Sequence, residues 1–323
     1  MSSFPLVSVV VTTFNRPSSL ESCLLRLSLQ TFKHFEIIVV DDFSDILNST
    51  LSASHCQLYN NVSYVLNTSN LGLAASRMEG VSFSKGEIIL FLDDDICVDP
   101  EYINVHYHAL VSNPSSVTIG SLSYYYPYIS ISNTTKYFHG LELRQSNKEF
   151  IKTKPGNFGG GISGIPKKLF LLVGGYDISF THYGSEDVDL GIRLHLAGIK
   201  IIYLCNAKAV HIDLVKPDRM KIKVILNSYY GLPYLFKKYK NIYILGFTRG
   251  SLCLIATSAA ASAVYYFFMI VEAILYSFCV LIEGHGSLYF PILYKVLFFI
   301  WSYIGLYMHY ARKPVRLKLE YSD

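Results

Sequence analysis

Residues 88–99 read Ile-Ile-Leu-Phe-Leu-Asp-Asp-Asp-Ile-Cys-Val-Asp, an apolar run ending in three adjacent carboxylates with a fourth close behind. Neighbouring acids repel by roughly 1 kcal/mol at 4 Å in water, and by about 4 at the effective dielectric of a protein surface. A divalent cation relieves that repulsion. Mg²⁺ and Mn²⁺ prefer oxygen ligands, and Mg²⁺ takes one or two carboxylates together with substrate phosphates and water. A calcium loop is excluded, because Cys97 and Val98 stand where it needs an Asp or Asn and then a Gly. A solvated acidic turn is the alternative for these residues taken alone. A second acidic group, Glu186, Asp187 and Asp189, follows Ser185, and His211 lies further on. The glycine-rich stretch 157–164 (NFGGGISG) has neither a following Gly-Lys-Ser/Thr nor the Gly-x-Gly-x-x-Gly spacing. It therefore reads as a place where substrate approaches the backbone closely, not as a phosphate loop.

The elements that must position these groups follow from the apolar pattern. Residues 6–14, 35–42, 62–67 and 86–94 are short and β-branched, as strands buried on both faces should be. Residues 17–30, 71–84 and 100–113 carry helical periodicity between and after them. Strand and helix in alternation predict an α/β fold with a mostly parallel sheet and helices on both faces, with ligands at the carboxyl ends of the strands. The polar clusters Thr12–Arg16, Asp41–Ser44 and Asp93–Asp95 all fall at such ends. Asp99 before Pro100 and Glu101 reads as a helix N-cap. Ser185 reads as the cap of a second helix, in which Asp189 and Arg193 pair four residues apart. Gly198 ends that helix, and 199–204 returns as a strand ahead of His211.

Only 16% of the residues are charged, and the apolar excess is concentrated in 251–310. The formal net charge of +4 does not by itself indicate nucleic acid. Two runs, about 252–282 and 288–310, exceed the roughly 20 residues needed to cross a bilayer. Lys237, Lys238, Lys240 and Arg249 precede them; Arg312, Lys313, Arg316 and Lys318 follow. Basic outer flanks and an uncharged-to-acidic linker at 283–287 predict a transmembrane hairpin with both outer ends cytosolic. The single Glu272 and Lys295 inside the runs are expected to meet. The expected organisation is a catalytic domain over 1–240, with halves at about 1–115 and 116–240, and a membrane region over 241–323. The expected location is the cell membrane, multi-pass, with the catalytic part on the cytoplasmic side. The six cysteines lack metal or disulfide spacing and read as reduced thiols. Residues 6–11 are too short for a signal peptide, and the four glycosylation sequons read as chance matches.

Five segments, in order over about 5–215, resemble the inverting GT-A-fold nucleotide-sugar glycosyltransferases of family two. VSVVVTTFNR is similar to the family's opening strand and nucleotide loop, and IIVVDDFSD to its V-D-D-x-S-x-D segment, with Asp45 one place early. NLGLAASRMEG resembles N-x-G-x-x-x-x-R-N-x-G, with Met78 replacing the second Asn. LFLDDDICVDP resembles the D-x-D segment as Asp93-x-Asp95, and GGYD with SEDVDLGIRLHLAG the G-G-[FY]-D and E-D-x-D-L segments. The resemblance implies a base and ribose pocket at Thr13, Asn15 and Asp42, with Arg77 on the diphosphate. Asp93 would lie near ribose and sugar, with Asp94 between it and Asp95 on the nucleotide-sugar side. Asp95 and His211 would hold a divalent metal, Mg²⁺ or Mn²⁺, and Asp187 would be the general base of a single inverting displacement. A processive Q-x-x-R-W signature is missing, which implies transfer of one sugar. With a membrane hairpin behind the catalytic domain, the expected acceptor is a polyisoprenyl phosphate or a lipid-linked glycan. The rival readings are a membrane-tethered sugar-nucleotide binding protein without catalysis, and a sugar-nucleotide hydrolase or nucleotidyltransferase on a related sheet.

Overall fold

A computed structural model describes residues 6–124, 133–134, 137, 151–152, 158–212, 216–239, 256, 260–283 and 290–314. The sheet begins as the alternation predicts. Strand β1 (Val7–Thr13) lies between β2 (Phe35–Asp41) and β4 (Ile88–Asp93), parallel to both, and β3 (Val62–Leu66) adds outside β2. Register places Thr13 opposite Asp41 and Thr12 opposite Asp93, so the three polar ends finish level.

Beyond β4 the strand directions become mixed. β8 (Ile162–Pro166) runs antiparallel to β4, and β6 (Ser116–Tyr124) antiparallel to β8. The twelve-residue β9 (Lys200–His211) pairs in parallel with β6, and antiparallel with the short β5 (Ile96–Val98) and β7 (Ile151–Lys152). The expected strand at 199–204 thus continues to His211. Its last residue pairs with Ile96, directly after the three aspartates.

Both faces of the sheet are covered. Val9, Val11, Leu90 and Leu92 pack against Leu20, Leu24 and Leu27 of α1 (Pro17–Ser28) and Ile103 of α4 (Tyr102–Ser112). Val10, Ile89 and Phe91 pack on the other side, with Ala74 of α3 (Leu73–Phe83), Phe170 of α5 (Lys167–Leu172) and Leu190 of α6 (Glu186–Leu196). A fully buried side chain of this size contributes about 1.5–3 kcal/mol. Helix α3 sits so close that a Cβ at Gly80 would strike Val10 Cγ1 and reach Val40 Cγ2 at 3.2 Å. An interior helical Gly→Ala change favours the helix by about 1 kcal/mol, whereas overpacking costs about 1–3. G80A should therefore lower the urea midpoint despite its better propensity; a raised midpoint would show that the two elements can part at no cost.

One helix is unannounced, and two expected caps need correction. Residues 46–57 form α2 (Ile46–Gln57), which the sequence pattern does not announce because Ile46 and Leu47 point to solvent. Asp45 is its N-cap and accepts from the Asn48 N–H at 3.0 Å, giving the early acid a structural role. Asp99 does not cap α4 through its side chain: its carbonyl accepts from the Tyr102 N–H at 3.0 Å and from Gln30 Nε2 at 2.8 Å. Ser185 does precede α6, but in a left-handed conformation (φ 74°), and its hydroxyl donates to Asn227 Oδ1 at 2.6 Å instead of capping.

The C-terminal part adds α7 (Pro217–Leu226), a π-helical turn (Asn227–Gly231), α8 (Leu232–Tyr239), α9 (Ala261–Ile282) and α10 (Pro291–Tyr310). Helices α9 and α10 are each long and apolar enough to cross a membrane. They differ in burial: 56% of the most apolar window of α10 is covered, against 17% of that of α9. Helix α10 packs on the π-turn so tightly that a Cβ at Gly305 would meet the Ile225 carbonyl and Ser228. Helix α9 presents Tyr266, Phe267, Ile270, Ile274 and Leu281 outward. Glu272 does not meet Lys295, which is exposed. It accepts from Trp301 Nε1 at 3.0 Å and pairs with Lys221 of α7 at 2.8 Å, tying the hairpin to the rest of the chain. Lys240, Arg249, Arg316, Lys318 and Cys253 lie outside the described residues, as does the linker beyond Glu283. The other five cysteines are free thiols.

Candidate active site

The centre of the site is Arg77, which α3 holds below the carboxyl ends of β1 and β4 with only 2% of its side chain exposed. Its Nη1 donates to Asp187 Oδ1 at 2.8 Å and to the Tyr176 hydroxyl at 3.2 Å; its Nη2 donates to Asp93 Oδ1 at 2.9 Å. Glu186 lies 3.8 Å from the same guanidinium. Burial works against the charge, but the Tyr176 oxygen and the carboxylates of Asp187, Asp93 and Glu186 outweigh it and hold the Arg77 pKa above its ordinary value. The Tyr176 hydroxyl donates to Asp187 Oδ1 at 3.0 Å. Asp187 Oδ1 thus accepts twice, while Oδ2 accepts from neither donor.

The two acids of the Asp93-x-Asp95 pair face different partners. Asp93 turns to Arg77, whereas Asp95 Oδ2 meets Arg16 Nη1 at 2.8 Å and His211 Nε2 at 3.5 Å. Between them Asp94 accepts from Thr13 Oγ1 at 2.7 Å and from Arg16 at 3.1 Å. Burial pushes the Asp94 carboxyl up to about 8, with Arg16 opposing. For Asp95 burial also works upward, but His211 and Arg16 prevail and hold it below the ordinary carboxylate range.

At the first two strand ends, Asn15 adopts a left-handed conformation (φ 53°) that Asn tolerates. Its N–H donates to Ser44 Oγ at 2.7 Å, and its Oδ1 accepts from the Asp45 N–H at 2.9 Å. Asp42 accepts from Asn67 Nδ2 at 2.9 Å and from the N–H groups of Leu71 and Gly72 at 2.8 and 2.9 Å, fixing the entry to α3. Thr13, Asn15, Asp42, Arg77, Asp93, Asp94, Asp95, Asp187 and His211 therefore gather at one end of the sheet.

Two partners were not singled out there, Arg16 and Tyr176. Each sits inside a quoted motif, TTFNR or GGYD, but nothing local says that Arg16 spans two aspartates or that Tyr176 reaches an acid eleven residues on. A cleft of about 310 Å³ opens between the two groups, lined by Asp93, Asp187, His211 and Gly159–Gly161. A Cβ at Gly160 would strike Asp187, Arg77 and Tyr176, and one at Gly161 would strike Asp93. The glycines bring backbone against the carboxylates where any side chain would displace them.

Among the described residues, no three His, Cys, Asp or Glu side chains converge as a ready metal cage. What the site does offer a cation is a carboxylate and an imidazole on one side of the cleft. Asp95 Oδ1 is buried with no hydrogen-bond partner among the described residues. That donor set suits a divalent cation completed by phosphate oxygens and water.

Glu186 is enclosed beside this group. Burial, with Asp187 adding and Arg77 opposing, pushes its carboxyl up to about 8 from an ordinary 4.5. A folded pKa above the unfolded one means that the protonated form stabilises the fold fully below about 4.5. That contribution is lost as pH rises through about 8. The E186Q variant, which stays neutral, should gain stability relative to the parent across that window, by at most about 1.4 kcal/mol per pH unit. Thermal melts of the two proteins from pH 5 to 9 check this; parallel curves would refute it.

Comparison with known proteins places the chain in a family. The profile of glycosyl transferase family 2 matches residues 8–169, and that described as the N-terminal domain of galactosyltransferase matches 143–215. An uncharacterized glycosyltransferase of Haemophilus influenzae is 29% identical over 195 residues, 58% of this chain and 62% of that protein. A validoxylamine A glucosyltransferase of Streptomyces hygroscopicus is 28% identical over 230 residues, 60% of this chain and 52% of that protein. The glucosyl-dolichyl phosphate glucuronosyltransferase of Haloferax volcanii is 25% identical over 234 residues, 64% of this chain and 68% of that protein. The matched part is thus under two thirds of the length of the first two. Among solved structures, the mannosyltransferase PcManGT from Pyrobaculum calidifontis, in complex with GDP-Man and Mn²⁺, is similar at a TM-score of 0.64. Its identity is 16%, and the match covers 97% of this chain and 89% of that one. GalNAc-T7 with UDP, GalNAc and Mn²⁺ is similar at 0.54 and 17% identity, covering 71% of this chain and 48% of that one.

The fold is GT-A-like, a curled α/β sheet with its polar strand ends on one side and two apolar helices at the C-terminus. The chain belongs to glycosyl transferase family 2.

Proposed function

We propose that the protein is an inverting, non-processive glycosyltransferase that moves one sugar from a nucleoside-diphosphate sugar to a lipid-linked acceptor. The observation that carries this reading is the approach of Asp187, Asp93 and His211 around one cleft, with Asp95 3.5 Å from His211. Asp187 Oδ2 takes the proton of the acceptor hydroxyl as that oxygen attacks the anomeric carbon. The bond from that carbon to the diphosphate breaks on the opposite face, and the nucleoside diphosphate leaves with the electron pair. One displacement with one base inverts the centre. Arg77 and Tyr176 hold Asp187 Oδ1, so its second oxygen is presented in a set direction. Thr13, Asn15 and Asp42 line the nucleoside side, with Asp93 and Asp94 between nucleoside and sugar. Arg77 acts on the diphosphate side through Asp93, which it holds in place. A divalent cation held by Asp95 and His211 would offset the negative charge on the leaving diphosphate.

The acceptor reading draws on the outward apolar face of α9, on the basic flanks Lys237, Lys238, Arg312 and Lys313, and on the Haloferax relative's name. An acid placed as a base favours a hydroxyl acceptor, because a phosphate monoester carries little proton to remove near neutral pH. A glycan on a lipid phosphate supplies such a hydroxyl. In this reading residues 1–240 are catalytic, and α9–α10 hold them at the cytoplasmic face of the membrane.

Membranes carrying the protein, incubated with a panel of radiolabelled nucleotide sugars and Mn²⁺ or Mg²⁺, test it. Label should enter the lipid extract. Release of nucleoside diphosphate with no labelled product would point to a hydrolase. D95A should lower metal-dependent transfer by at least about 10²-fold while leaving the thermal transition in place. Transfer at the parent's metal dependence would overturn the metal assignment.

A further inference from the structure

A second cavity, about 380 Å³, lies outside the cleft just described. Phe180 and His182 come from the loop ahead of α6, Tyr230 from the π-turn, Tyr234 and Lys237 from α8, and His309 from the last turn of α10. His182 stacks on Tyr230 with ring centroids 3.6 Å apart, and Phe180 meets Tyr234 edge-on at 4.9 Å. The cavity is therefore aromatic, with Lys237, His182 and His309 on its rim and no acid among its lining residues.

The nearest acid on that loop, Asp177, is already matched. It accepts from Lys238 Nζ at 2.8 Å and from the Tyr234 hydroxyl at 3.0 Å. Lys238 also pairs with Asp189 at 2.7 Å. Lys237, one residue earlier, has no hydrogen bond or ion pair among the described residues and is exposed. One lysine of the pair serves the fold, and the other stands beside an apolar hollow whose described lining residues include no acid.

The cavity's walls connect the loop before Asp187, the proposed base, to the hairpin. Ser185, two residues before Asp187, is bonded to Asn227 of the π-turn, and a Cβ at Gly231 would meet the Gly184 carbonyl at 2.7 Å. On the other side Tyr229 packs edge-on to His309 at 5.5 Å, and α10 lies against the same turn. A π-turn inserted at such a junction is a common mark of a functional position.

We propose that this cavity is the subsite for the phosphate of the lipid-linked acceptor. The phosphate meets Lys237 and His182, the apolar chain runs out along α9–α10, and the sugar extends past the π-turn toward Asp187. The assignment rests on the lipid-linked reading above, and commits it to a phosphate ester of a long apolar alcohol.

The test uses the full chain in detergent micelles and equilibrium binding of radiolabelled citronellyl phosphate, a short isoprenoid phosphate. The parent should bind it, with citronellol and inorganic phosphate each competing poorly. K237A should weaken binding about tenfold, the loss of one charge-assisted contact, and K237R should largely restore it. Y230A should weaken it as well, with thermal melts confirming that each variant is folded. Parent-like affinity in folded K237A and Y230A would overturn the subsite while leaving the lipid-linked reading intact. No binding by a parent protein that transfers sugar to a water-soluble acceptor would sink both. Full displacement by phosphatidylglycerol supplied in the same micelles at equal phosphate concentration would make the cavity a general headgroup site and overturn the acceptor assignment.

Discussion

Replacing Asp187 with Asn should lower sugar transfer by about 10²- to 10⁴-fold, the range that a positioned general base contributes, while donor binding persists. Asn is isosteric, so it can still accept from Arg77 and Tyr176 at the Oδ1 position. What it loses is the basic second oxygen facing the cleft. Initial rates against acceptor, beside calorimetric binding of the nucleoside diphosphate with Mn²⁺, separate the two quantities. Transfer within a few-fold of the parent would mean that another group removes the proton. Loss of both transfer and donor binding would assign Asp187 a structural role through Arg77.

The second large effect is expected at Arg77, and its main readout is stability. R77M removes the one cation enclosed by Asp93, Asp187 and Glu186. Stranding a buried charge costs about 3–5 kcal/mol. Here Asp93 and Asp187 keep 37% and 26% of their side chains in water, and Glu186 can take up a proton, so about 2–4 kcal/mol is expected. R77K keeps the charge but loses the planar fork that reaches two carboxylates at once; it should fall between R77M and the parent. Urea unfolding of all three measures this. An R77M midpoint equal to the parent's would show that the carboxylates need no common cation. Transfer should fall in both variants, because Asp93 and Asp187 lose the group that sets their separation.

Much of the fold was legible because the governing signals are local. Doubly buried strands read as β-branched runs, and each carried its polar residues at its carboxyl end. Thr13, Asp41 and Asp93 were bound to meet once those strands ran parallel. Elements whose apolar residues do not face the core leave no such trace, and α2, with Ile46 and Leu47 in solvent, is one of them. The caps failed for a related reason. Asp99 and Ser185 have the right residue types, but Gln30, distant in the chain, accepts from the Ile103 N–H at the start of α4 in place of Asp99, and Asn227 takes the Ser185 hydroxyl.

The site divides along the same line. The sequence by itself determined the inventory: which acids, arginine, histidine and glycines stand at strand ends, and that a long apolar segment follows them. Only the tertiary structure decided who pairs with whom. It joined Arg77 to acids 16 and 110 residues away, gave Asp95 to Arg16 and His211, and turned Glu272 from Lys295 to Lys221. Burial is the physical reason. A charge held out of water needs a partner at about 3 Å, and that partner is chosen by the packing of helices and strands remote in sequence. Residue type and local spacing record the need for a partner, but not its address.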